Sequence, residues 1–242
     1  MTIDLVLEMS KNSNFFNFKE KINNQLISGK AHKGWSGLTV NKFVSKKKFL
    51  LDKDFFYKNF LEFLRKDVII ILIKGEISIS INKQTYSLNK PFDVLDLNTL
   101  EYEKKNVILK GKKNSTFFII SSKKQRRLSK KIIKHFNFLK NIKKINIWGG
   151  KIFSRSYNSK NVTLVLFQLK KDFSFFDKGH YNEQITWLVE GDMKFNINGE
   201  TKDLSTCDGV NIGEFQKHGG FSTGAVGFDV FYPNRSEKKY LN

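Results

Sequence analysis

Apolar and polar residues alternate over much of this chain. In "VIIILIKGEISISIN" the apolar positions after the Gly75-Glu76 pair are Ile77, Ile79 and Ile81, and in "ITWLVEGDMKFNIN" those after Gly191-Asp192 are Met193, Phe195 and Ile197. A period of two predicts half-buried strands, here broken in the middle by a Gly-acid turn. Asn198-Gly199 is a strong two-residue hairpin signal, because both positions accept positive φ. "NVTLVLFQL" (161–169) and "GFDVFYP" (227–233) predict further strands. Short strands joined by turns at this density predict sandwiches or barrels.

The period changes in "SSKKQRRLSKKIIKHFNFLKNIKK". Ile132, Ile133, Phe136 and Leu139 follow helical spacing, with Lys and Arg on the other face. The segment 121–144 is therefore expected to be a basic linker helix, with His135 on its polar side. "NFFNFKEKINNQLI" predicts a second short helix. "GKAHKGW" reads as a turn, which makes His32 a poor ligand candidate.

The chain repeats itself. "LIKGEISISINKQTYSLNKPFDVLDL" can be laid over "LVEGDMKFNINGETKDLSTCDGVNIG", half the chain further on. Gly75 then falls on Gly191, Asn82 on Asn198, Thr85 on Thr201 and Leu88 on Leu204. One residue of slippage aligns Asp93 with Asp208. Solenoid units are far shorter, so this period predicts two similar domains. The expected layout is an N-terminal segment (1–39), a barrel (40–120), the linker (121–144) and a second barrel (145–242).

At 242 residues the chain is long enough for two small cores. No apolar run approaches the roughly 20 residues that span a bilayer. "MTIDLVLEMSKNSNFF" carries acids where a signal peptide carries basic residues, so the expected location is cytoplasmic. Cys207 has no partner for an intrachain disulfide and is expected to be buried filler. The formal charge of +20 invites a nucleic-acid reading. Against it, nearly all the positive charge is Lys, while Arg occurs only at positions 65, 126, 127, 155 and 235. Arg is the residue that reads bases and phosphates bidentately. The expectation is no specific nucleic-acid partner and no membrane partner, with a preference for small anions.

"GHYNEQITWLVEGDMKFNINGETKDL" followed by "DGVNIGEFQKHGG" resembles the two sequence motifs of the cupin superfamily, and "DVFYPNR" fits the same pattern. The resemblance covers 145–238 directly and the first half through the repeat, which implies a bicupin: all-β, two tandem jelly-roll barrels with a short linker helix. Within the superfamily the second half is most similar to the pectin-degradation cupin that acts on unsaturated uronates and to the bicupin isomerase of bacilysin biosynthesis. The resemblance implies one divalent first-row metal ion (Zn, Mn, Fe or Ni) in the C-terminal barrel, held by His180, Gln184 and His218. Even spacing lets His180 and Gln184 share a face if the segment is extended. Glu183 falls on the opposite face.

Where the family has the first His of its His-x-His pair, this chain has Lys178. Either three ligands suffice, with Lys178 turned outward or touching an anionic substrate, or the barrel binds an organic ligand without metal. Glu183 and Lys178 are the two candidates for moving a proton. In the first copy the positions of His180 and Gln184 are taken by Leu64 and Val68, and no His lies between 33 and 134. One site per chain is expected. The resemblance thus implies an isomerase, tautomerase or lyase acting on a small anionic metabolite such as a sugar acid or keto acid. The alternative is a non-catalytic bicupin that binds such an anion. A homodimer would be in keeping with the family.

Overall fold

A computed structural model describes residues 7–10, 14–18, 27–52, 66–98, 107–123 and 132–235. Strands run in chain order as β1 (Leu7–Ser10), β2 (Phe15–Asn17), β3 (Ile27–Lys33), β4 (Thr39–Ser45), β5 (Phe49–Leu51) and β6 (Lys66–Lys74). There follow β7 (Ile77–Ile81), β8 (Gln84–Leu88), β9 (Asp93–Asn98), β10 (Val107–Gly111), β11 (Thr116–Lys123) and β12 (Ile132–Asn137). After a single turn of helix, α1 (Phe138–Asn141), come β13 (Ile145–Ile147), β14 (Ile152–Asn158) and β15 (Thr163–Asp177). The chain closes with β16 (Glu183–Ile197), β17 (Glu200–Leu204), β18 (Asp208–Ile212) and β19 (His218–Tyr232).

Two compact units result. One comprises Met1–Met9, Glu20–Lys33 and Gly37–Phe138; the other comprises Ser10–Lys19, Gly34–Ser36 and Leu139–Asn242. In the first, a seven-stranded sheet (β1-β3-β4-β11-β6-β9-β12) and a four-stranded sheet (β5-β10-β7-β8) share one apolar core. Phe43, Val68, Ile70 and Phe117 come from the larger sheet; Phe49, Ile77, Ile79 and Leu109 come from the smaller. Alternation made this possible: β7 reads buried at 77, 79 and 81 and partly exposed between. The interior is packed with aliphatic and aromatic side chains. Val68, at the position of Gln184, is part of that core; Leu64 lies outside the described residues.

The second unit is one eight-stranded sheet, with path β13-β14-β15-β19-β16-β18-β2 and β17 paired to β16. Its three long strands, β15, β16 and β19, each have 15 residues. All three are irregular at one level. β15 shifts register between Lys171 and Phe173, with Asp172 at φ 56°, and β16 shifts between Leu188 and Glu190 and between Gly191 and Met193. Bulges of this kind bend strands sharply and let one sheet fold over itself. Gly191 (φ 79°) is required there, since a Cβ would sit 2.0 Å from the Gly224 carbonyl oxygen.

The internal repeat is legible atom by atom. Asn82 and Asn198 both have positive φ (57° and 49°) in the β7–β8 and β16–β17 hairpins. Thr85 bonds Ser80 across one hairpin, and Asn196 bonds Thr201 across the other. Asp93 accepts from the amides of Asn89 and Lys90, and Asp208 accepts from the amide and hydroxyl of Ser205. Leu88 and Leu204 are both buried.

Several local expectations are corrected. The expected long helix over 121–144 is confined to Phe138–Asn141; Ile132–Asn137 is a strand on β9, and 124–131 lies outside the described residues. An "IIKHF" run fits both periods, and pairing with β9 decided it. His135 is exposed there. Phe15–Asn17, expected to be helical, is a strand on β18. His32 is buried on β3 and not in a turn. Cys207 is half-buried at a turn with φ 77° and is not core filler. Among the described residues, no helix is long and apolar enough to cross a membrane.

Candidate metal centre and anion pocket

Strand parity decides what faces the interior of the second unit. Along β15 the odd positions Val165, Phe167, Leu169 and Phe175 line a cavity of about 100 Å³, and Asp177 is next in that row. Lys178 therefore falls on the outer face, and it is exposed. β15 ends there, and Gly179 (φ 99°) turns the chain, with its amide donating to Asp177 Oδ1 at 3.0 Å. Any Cβ on Gly179 would meet the Phe215 carbonyl at 2.6 Å. This turn brings His180 back beside Asp177. The position next to His180 in space is thus filled from three residues upstream, by a carboxylate, and not from two upstream by Lys178.

Asp177, His180 and His218 each present one ligating atom, and these atoms lie within 4.8 Å of one another. His180 and His218 are buried, with ring centroids 5.3 Å apart. His218 Nδ1 donates to the Gln216 carbonyl at 3.0 Å, which fixes the tautomer and leaves the Nε2 lone pair available. The amide of Gln184 donates to Thr186 Oγ1 (2.8 Å) and Asp229 Oδ1 (3.0 Å), so its carbonyl oxygen faces His180 Nε2 at 2.9 Å. The Nε2 of His180 is then the protonated nitrogen, and its buried Nδ1 has no hydrogen-bond partner among the described residues. Two imidazoles with open lone pairs beside a carboxylate suit a divalent first-row metal. The residues fit such an ion.

Electrostatics keep the donors in ligating form. Burial brings His180 down to about 4, helped by the Arg235 charge and opposed by the Gln184 hydrogen bond. Burial also holds His218 below its ordinary value, against the Gln216 carbonyl and Asp177. Burial alone would raise Asp177, but the Gly179 amide, His218, Arg235 and His180 together bring it below the usual carboxylate value. At neutral pH both imidazoles are uncharged, so the amide and the guanidinium carry that effect. Asp229 goes the other way. Burial pushes it up to about 6, against hydrogen bonds from Thr186 and Gln184 and the Arg235 charge.

Two polar residues in this centre were not among the expected site residues. Asp229 accepts from Thr186 Oγ1 at 2.6 Å and lines the cavity. Arg235 is 3% exposed, bridges to Asp177 Oδ2 at 3.4 Å and packs 4.8 Å from the Phe231 ring centroid. The C-terminal end is stapled to hold it. Asn182 donates to the carbonyls of Pro233 and Asn234, Asn234 donates to those of Ser159 and Lys160, and the Arg235 amide bonds Thr163 Oγ1. Parity along β15 was the available signal for Asp177, and "DVFYPNR" contained both Asp229 and Arg235.

Neither expected proton carrier is at this centre. Glu183 faces outward by alternation, and its buried carboxylate accepts from the amides of Trp35 (2.5 Å) and Ser36 (3.0 Å) and from the Ser36 hydroxyl. It clamps the Gly34–Ser36 segment, where a Cβ on Gly34 would overlap Glu183 Oε1 at 2.2 Å. Lys178 points to solvent. Trp187 is fully buried and stacks on Phe228, 5.4 Å between centroids, away from the cavity.

No protein-family model matches the sequence, and no curated protein matches it. Solved structures do. AerE from Microcystis aeruginosa superposes with a TM-score of 0.71 at 11% identity, over 91% of this chain and 99% of that one. A cupin 2 conserved barrel domain protein from Leptotrichia buccalis gives 0.63 at 13% identity, over 93% and 100%. Oxalate decarboxylase from Bacillus subtilis, a protein with Mn(II) centres, gives 0.64 at 9% identity, over 94% and 79%. At such identities the likeness is one of fold, and the chain has the two-barrel cupin fold.

Proposed function

We propose that this protein is a metal-dependent enzyme acting on a small anionic metabolite, such as a sugar acid or keto acid, by isomerase, tautomerase or lyase chemistry. The observation that carries the reading is the convergence of Asp177, His180 and His218 within 4.8 Å, beside a cavity that also holds Arg235. Asp177, His180 and His218 would hold the ion, with the Gln184 carbonyl oxygen alongside. A bound divalent ion supplies Lewis acidity toward a substrate carbonyl or enolate. Arg235 supplies fixed positive charge for a substrate carboxylate. Asp229, with its proton affinity near neutral and its hydrogen bonds to Thr186 and Gln184, is placed to hold or accept a proton. Apolar walls exclude water and strengthen these interactions.

A second reading, a non-catalytic barrel that binds a small anion without metal, is favoured by one contact. The Gln184 carbonyl oxygen is already engaged by His180. Elemental analysis of untagged protein after dialysis against Mn(II), Zn(II), Fe(II) and Ni(II) separates the two. The enzyme reading expects one ion per chain and its loss in His218→Ala, since two remaining donors hold a first-row metal poorly. A wild-type protein that stays metal-free in all four would leave the second reading.

A further inference from the structure

The wall of the cavity is more selective than its centre. We propose that the ligand is a carboxylate with a short apolar tail, of the branched-chain 2-oxo acid type, and not a polyhydroxylated sugar acid; this rests on the anion-binding reading above and narrows its substrate class. The polar atoms are largely committed to one another. Gln184 serves His180, Thr186 and Asp229; Thr186 serves Asp229; Asp177 serves Gly179 and Arg235; His218 serves the Gln216 carbonyl. What remains for a ligand is the Arg235 guanidinium, already paired with Asp177, the open Nε2 of His218 and the second oxygen of Asp229; the first two suit one carboxylate and, with a metal, an adjacent carbonyl.

Beyond that cluster the surface is hydrocarbon. β15 presents Val165, Phe167, Leu169 and Phe175, and β16 presents Met193 and Phe195. The β13–β14 hairpin adds Ile147, Ile152 and the half-exposed Trp148, whose ring lies 5.5 Å from Phe173 and 6.3 Å from Phe175 between centroids. Ser154 contributes one hydroxyl with no partner among the described residues, enough for a single polar atom of a ligand. A chain of hydroxyls laid along this wall would give up water and find almost nothing in return. An apolar pocket discriminates against even one added hydroxyl by up to about a hundredfold. Size agrees with this. At roughly 10–15 Å³ per water-sized atom, a cavity of about 100 Å³ takes a short acid.

Calorimetric titration of the full chain with 4-methyl-2-oxopentanoate and with threonate, two acids with the same number of non-hydrogen atoms, tests this. Both metal-free and Mn(II)-loaded protein are titrated, and Mn(II) uptake is measured on the same samples. The keto acid should bind at least about tenfold more tightly than threonate. Trp148→Ala, at an exposed hairpin tip, should shrink that ratio about threefold by opening the wall to water. Equal affinities, a preference for threonate, or no binding of either acid in both states overturns the inference. A ratio unmoved by Trp148→Ala overturns the placement of the tail against this wall. Mn(II) uptake without a tail preference would leave the metal reading intact while this one falls. A preference without Mn(II) uptake would do the reverse.

Discussion

Metal affinity at Asp177, His180 and His218 should survive mild acid. A proton competes with a metal for an imidazole lone pair, so each ligand costs affinity once the pH falls below its pKa. Two ordinary histidines, titrating near 6.5, would together weaken binding about a hundredfold between about pH 7.5 and pH 5.5. His180 is held at about 4, so it is still neutral at pH 5.5 and contributes almost nothing to that loss. His218 is also held below its ordinary value, which limits its share to less than about tenfold. Asp177 titrates below the usual carboxylate value and stays ionised throughout. The expected weakening is therefore below about tenfold, less than about 1.4 kcal/mol, with the His180 share of the loss deferred until the pH approaches 4. Titration of Mn(II) at the two pH values, with free ion read by electron paramagnetic resonance, measures it directly. A loss of a hundredfold would refute the reasoning, because it would mean that burial does not suppress imidazole protonation here.

Two further outcomes follow from the same geometry. Lys178→His should leave metal affinity within about twofold, since position 178 faces solvent, whereas Asp177→Asn should weaken it by at least about a hundredfold; equilibrium dialysis of the pair decides, and a gain in Lys178→His would restore the His-x-His reading. In the first unit, burial lowers His32 to about 4 in the folded state against 6.5 unfolded, so the unfolded chain takes up the proton first as pH falls through that window and stability is lost. The loss at about pH 5 should be roughly 2 kcal/mol, and His32→Leu should flatten the pH dependence of urea midpoints; an unchanged slope would count against it. The second unit is partly buffered, because Asp229 has its folded value above its unfolded one and recovers stability as pH falls through 6.

How much of this was legible in the sequence differs by kind of signal. The repeat was fully readable, because hairpin asparagines and capping aspartates are local devices that leave local marks; Asn82 and Asn198, and Asp93 and Asp208, do the same work in both halves. His180, Gln184 and His218 were readable as a motif, and the structure brings them together. Asp177 was missed because a His-x-His spacing assumes an unbroken strand, whereas Gly179 turns the chain and changes which upstream residue is the neighbour. Arg235 and Asp229 lay inside the quoted "DVFYPNR" but had no spacing to assign them a role; the pairing of β19 with β15 and β16 and the hydrogen bonds that hold 233–235 bring them to the centre. The helix expected over 121–144 failed at Ile132–Asn137 for the opposite reason. Its apolar spacing was real, but an apolar run that short also fits a strand, and β9 was there to pair with it.

The shared bend in β15, β16 and β19 has a consequence for how this protein would look under random mutagenesis. His218 and Asp229 are carried by one strand, on either side of Gly224, while Gln184 precedes Gly191 on another. The fold of the sheet at these glycines decides whether those side chains meet. A side chain forced in at Gly191 would press on the Gly224 carbonyl and splay the strands, parting donors that it never touches. A functional screen would then score Gly191 alongside the histidines. Its hits would trace a crease in the sheet as well as the pocket, and a reader who equated sensitivity with contact would draw the active site too large.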